Sequence, residues 1–208
     1  MKRRDALKLI AGAAAVPALY SHDVFALGRE IHQQLGSTAA VKTLDPHQNA
    51  TVIAISDMII PATDTPGAKG ARVNEFIDVI LTDWCTGDDC QRFLQGLSDT
   101  DMRSRKTFGK EFVNCTAQQQ TQLLTALDEE LTELREASGE EREHASPAVQ
   151  EIETPVQRNF FYMIKRLTLI GYYTSEIGWT RELGRPPVHM GPYQACVPLS
   201  EPGKTNAS

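Results

Sequence analysis

The chain has 208 residues, 41% hydrophobic and 23% charged, with a formal net charge of −6. These values suit one globular domain long enough to bury a core. Residues 1–26 hold four basic and two acidic side chains, so the remainder stands at −8, a field that repels phosphate backbones and anionic lipid heads and argues against nucleic acid as a partner.

The N-terminus begins with a cationic run, Lys2, Arg3, Arg4 and Lys8. Leu9 to Val16 is apolar, well short of the about 20 residues a membrane-spanning helix needs, and Pro17 interrupts it. Val24-Phe25-Ala26 has the small-x-small form of a cleavage site, and Val16-Pro17-Ala18 is a weaker one. Arg3-Arg4 followed by Leu7 and Lys8 resembles a twin-arginine export motif, with Ala6 where that motif prefers Phe. The same residues also read as an ordinary secretory signal or as an uncleaved anchor. All three readings place the chain outside the cytoplasm.

An oxidising compartment makes Cys85, Cys90, Cys115 and Cys196 disulfide candidates. Four cysteines allow three pairings. Cys85 and Cys90 are separated only by Thr-Gly-Asp-Asp, a gap a loop closes easily. Cys115 is then left for Cys196, unless Cys196 cross-links another subunit. No Cys-x-x-Cys occurs, which removes a thioredoxin-like centre or a c-type haem site from this chain.

Residues 27–44 are polar without a pattern and read as a linker. Asp45-Pro46-His47-Gln48 is a helix start with a capping box, and Val52, Ile55, Met58 and Ile59 give that helix one apolar face before Pro61 stops it. Residues 61–70 form a turn-dense loop in which Pro66-Gly67 predicts a type II turn. Val73, Phe76, Ile77, Ile80, Leu81 and Trp84 then make a full helical stripe, with Asp78 on the polar side. A third helical stretch spans about 88–109, with a break expected near Ser98 to Thr100. The fourth starts at the capping box Thr116–Gln119 and runs along Leu123, Leu124, Leu127, Leu131 and Leu134. Residues 136–153 are a Glu-rich connection. The fifth helix is predicted to start at Thr154-Pro155-Val156-Gln157 and is apolar nearly all round through Gly171, the mark of a helix buried on several sides. Residues 184–208 form a Pro/Gly-rich extended tail. The fold class is therefore all-α: a helical domain of about five helices over residues 45–183, with that tail.

Chemistry-bearing patterns are sparse. His32, His47, His144 and His189 are scattered, with no two at metal-ligand spacing, and read as solvated. Ser175 has no neighbouring base and no Gly-x-Ser-x-Gly, and no phosphate-binding glycine loop is present. Tyr172 to Trp179 reads equally as core cover or as a docking surface.

Asp57-Met-Ile-Ile-Pro-Ala-Thr-Asp-Thr-Pro-Gly-Ala68 with Val73-Asn-Glu-Phe-Ile-Asp78, then Phe160-Phe161 through Leu167-Thr-Leu-Ile-Gly-Tyr-Tyr-Thr-Ser-Glu-Ile-Gly178, and finally Tyr193-Gln-Ala-Cys196 together resemble the gluconate 2-dehydrogenase subunit 3 family. The resemblance covers roughly residues 44–197. It implies a small subunit without catalytic residues, cofactor or metal of its own. Its complex would be a periplasmic, membrane-associated dehydrogenase of sugars or sugar acids. The partners implied are a glucose–methanol–choline-type flavoprotein holding FAD, a cytochrome carrying haem c, and the twin-arginine translocase. Interface candidates are Pro61, Thr63, Asp64, Pro66 and Gly67 in the loop, Tyr172, Tyr173, Ser175, Glu176 and Trp179 in the later segment, and Tyr193 in the tail. The alternative is a free-standing periplasmic helical binding protein, or an assembly factor for another exported complex.

Overall fold

A computed structural model describes residues 28, 29, 31, 32, 35, 41–85, 87–138 and 154–184. The chain is all-α. In order, the helices are α1 (Pro46–Ile59), α2 (Val73–Val79), α3 (Gly87–Phe108), α4 (Ala117–Ser138) and α5 (Phe160–Thr174). Alpha-helix α2 continues as a π-helical segment, Ile80–Trp84, and a second π-helical segment, Ile177–Glu182, follows α5. A 3₁₀ turn, Phe112–Asn114, lies between α3 and α4. No strand occurs among the described residues. No helix among them is long and apolar enough to cross a membrane.

Two of the three predicted capping boxes start their helices as expected. Asp45 accepts the Gln48 N–H at 2.8 Å, and Gln48 Oε1 accepts the Asp45 N–H at 3.0 Å. Thr116 and Gln119 exchange the same pair of bonds ahead of α4. The third box also forms, between Thr154 and Gln157, yet it closes a single turn. Asn159 caps again, its Oδ1 taking the N–H of Phe161 and Tyr162, and α5 begins at Phe160 rather than Thr154. The expected break at Ser98–Thr100 is absent; α3 runs unbroken because Leu97, Thr100, Asp101 and Ser104 share a buried face.

Helix α5 is the hub, packing against α1, α2, α3 and α4. Its Ile164, Leu169 and Ile170 join Val52 and Ile55 of α1, Phe76 and Ile77 of α2, Phe93 and Leu97 of α3 and Leu131 of α4 in one core. Each such side chain contributes about 1.5–3 kcal/mol when fully removed from water. Gly171 lets α2 approach: a Cβ there would lie 2.7 Å from the Phe76 ring. A buried polar pair between helices, Ser56 Oγ to Thr168 Oγ1 at 3.1 Å, is mutually satisfied.

The 27–44 stretch, read as a linker, carries part of the core. Ile31, Leu35 and Leu44 are buried. Asp78, expected on a polar face, is only 3% exposed and accepts the backbone N–H groups of Lys42, Thr43 and Leu44 at 2.7–3.0 Å. A buried carboxylate holding three donors is well compensated. It ties the segment ahead of α1 onto α2.

Candidate functional site

The 61–70 loop and the segment after α5 are brought together. Tyr172 is buried, and its hydroxyl donates to the Pro66 carbonyl at 3.0 Å. Thr65 Oγ1 donates to Glu182 at 2.9 Å. The Ala68 N–H closes the loop onto Ile60 O at 2.9 Å. Gly67 does not adopt the positive φ of a type II turn. Its requirement is space: a Cβ would lie 2.5 Å from both Ala62 N and Ile60 O. Thr63 and Asp64 are exposed, with Pro61 half-buried. Tyr173 packs edge-on to Tyr172, and Trp179 lies under the Arg29 guanidinium at 5.0 Å. The Ser175 hydroxyl donates to Tyr172 O and accepts the Gly178 N–H, a structural role at the helix end. Glu176 is exposed. Arg3, Arg4, Leu7, Lys8, Tyr193 and Cys196 lie outside the described residues, as do His144 and His189.

The two described candidate histidines are engaged, not solvated. The His32 ring stacks on Phe76 at 5.1 Å, and its Nε2 bonds the Gly171 carbonyl at 2.7 Å. The carbonyl can only accept, so Nε2 carries the proton. Burial lowers the His32 pKa below its usual value. His47 pairs through Nε2 with Asp101, whose other oxygen accepts the Phe112 N–H at 2.9 Å. That carboxylate raises the His47 pKa. Both rings join elements: His32 holds the N-terminal segment to α5, and His47 holds α1 to α3.

The expected Cys85–Cys90 disulfide is not formed: among the described residues Cys85, Cys90 and Cys115 are free thiols, and the pairing proposed for Cys196 lies outside them. Cys90 donates instead to the Leu81 carbonyl at 3.2 Å, across the end of the first π-helical segment. Burial and the neighbouring Cys90 thiol push Cys85 up to about 12, far from the thiolate needed for exchange at neutral pH. Cys115 pairs with Ser104 at 3.1 Å.

Trp84 departs from the position its helical stripe predicts. An ideal helix would bury Trp84 on the stripe begun by Val73. The π-helical widening at Ile80–Trp84 shifts the register, and Trp84 is 49% exposed. Widenings of this kind recur at functional positions. Beside it opens a cleft of about 530 Å³ walled by Phe76, Ile80, Met163, Leu167 and Ile170, and lined also by Tyr162, Arg166, Cys85 and Asp89. Asp89 is paired with Arg92. Arg166 is exposed and has no ion-pair partner among the described residues. Among the described residues the cleft is thus an apolar groove with a positive charge, Arg166, at its side.

The family model for gluconate 2-dehydrogenase subunit 3 matches residues 46–191. The chain belongs to that family. The match begins at the first residue of α1 and takes in every helix of the subunit 3 domain described above. No curated protein and no solved structure matches the chain. The subunit 3 membership makes the chain one component of a dehydrogenase assembly, associated with a catalytic subunit.

Proposed function

We propose that this chain is the non-catalytic small subunit of a periplasmic, membrane-associated, FAD-dependent dehydrogenase of sugars or sugar acids, and that it exports and stabilises the flavoprotein. The family match over residues 46–191 carries this reading. The chemistry-bearing side chains of the domain support it. His32, His47 and Ser175 are each spent on holding elements together. FAD belongs to the large subunit, and a cytochrome with haem c receives the electrons.

The export role has a physical rationale. A flavoprotein folds around its cofactor before it leaves the cytoplasm, so it needs a route that carries folded cargo. The Arg3-Arg4 signal on this chain then serves both proteins. The complex is periplasmic and peripheral to the inner membrane. Co-expression with the proposed flavoprotein partner tests this reading. Replacing Arg3 and Arg4 with Lys is expected to leave both chains in the cytoplasm. Export of the flavoprotein at the wild-type level would remove the escort role.

A further inference from the structure

We infer that the cleft between the π-helical end of α2 and α5 is the seat for a segment of the catalytic subunit, one that places a large apolar side chain next to a carboxylate. The inference rests on the subunit reading above and assigns its contact surface.

Three observations converge on it. The first is exposure. Trp84 is one of three large apolar side chains left largely in water among the described residues, and it flanks an apolar recess of about 530 Å³. An apolar patch made by an exposed Trp beside an apolar recess marks an interaction surface, and Trp, Tyr and Arg are the residue types that anchor interfaces. Here Trp84, Tyr162 and Arg166 line a single cleft. The second is shape. The recess is large enough for an aromatic or branched side chain and is open to solvent on one side, where a neighbouring backbone can pass. The third is charge. Several cations described on this domain hold a carboxylate, as Arg103 has Glu130, Arg105 has Glu111 and Lys165 has Asp128. Among the described residues Arg166 has no carboxylate partner, and Asp89, the described acid of the cleft, is paired with Arg92. An incoming Asp or Glu beside the apolar anchor would give Arg166 a partner inside an apolar cleft, and a guanidinium holds a carboxylate in a two-bonded fork.

The exposed loop residues Thr63 and Asp64 satisfy each other by a 2.8 Å hydrogen bond, and Tyr172 and Ser175 are buried. The cleft is therefore the described surface with unmet apolar and ionic demand together.

The test uses the full chain co-expressed with its flavoprotein, with complex formation measured by affinity capture and titration. Trp84→Ala is expected to weaken binding about 30-fold, as interface anchors do. Arg166→Glu is expected to weaken it about tenfold, with the effect fading at high salt. Lys106→Glu, an equal charge change on the exposed side of α3, is expected to bind as wild type. Circular dichroism of each variant confirms that its helices remain. If wild type binds and both cleft variants bind equally well, the cleft assignment is wrong and the subunit reading stands. Failure of wild type to bind the flavoprotein overturns both. A homodimer, or a copurifying amphipathic acid, that is lost on Trp84→Ala overturns the assignment by showing a different occupant.

Discussion

One side of α5 sets Thr168, Gly171 and Tyr172 against Ser56, Phe76 and the Pro66 carbonyl, with no room to spare. The other side carries Tyr162, Arg166 and Leu167 along an open cleft. Both sides are apolar in sequence. The difference lies in what faces them. On the closed side, a glycine and two matched hydroxyls let neighbouring helices approach. On the open side, the π-helical end of α2 turns its Trp outward, so the facing wall stands off. A helix that reads as apolar all round can thus combine a core seam with a binding surface.

The sharpest way to break this contrast is to fill the closed side. Gly171→Leu drives a side chain into Phe76 and the His32 ring stacked on it. It is expected to cost about 3 kcal/mol or more, read by urea unfolding. A near-neutral result would mean that the seam has slack. Asp78→Ala comes next. It strands the N–H groups of Lys42, Thr43 and Leu44 and should cost about 3 kcal/mol. Faster hydrogen exchange at those three amides is the specific signature. Thr168→Val leaves the Ser56 hydroxyl without its partner and should cost about 1–2 kcal/mol. Adding Ser56→Ala should recover most of that loss, because removing both partners removes the unmet group.

The histidines give a weaker effect with opposite signs. His47 has a folded pKa raised by Asp101, so its contribution is full below the ordinary value near 6.5 and is lost as pH rises through the raised folded value. The ring is 39% exposed, and solvent screening holds the contribution below about 1 kcal/mol. His32 has a folded pKa lowered by burial, so its support is present above about 6.5 and is lost as pH falls toward the folded value. Comparing wild type with His47→Gln and with His32→Gln over pH 5–8 should yield stability differences of opposite slope. The smallest effect belongs to the open side: Arg166→Ala in the isolated chain is expected to change stability by no more than about 0.5 kcal/mol. A large loss there would mean that Arg166 is structural.

Much of the architecture was legible because its signals are local. The Asp45–Gln48 and Thr116–Gln119 boxes need only residues three apart, and the apolar stripes need only a period. Thr154–Gln157 shows the limit. The box formed, yet Asn159, five residues on, took over as the cap of α5. The site was less legible. Nothing in the spacing of Val73 to Trp84 announces that the last turn widens, and the stripe places Trp84 inside. Asp78 follows the polar pattern, and only the returning chain ahead of α1 gives it three donors. The loop at 61–70 was located correctly, but Gly67 serves close approach rather than a left-handed turn.

The two tryptophans both lie on π-helical segments, Trp84 on the first and Trp179 on the second. They occupy different surroundings, one largely in water at the cleft and the other half-buried beneath Arg29 of the N-terminal segment. The molecule therefore carries two built-in optical reporters. With either one replaced by Phe, the emission of the other would follow a single event: occupation of the cleft for Trp84, and detachment of the N-terminal segment for Trp179.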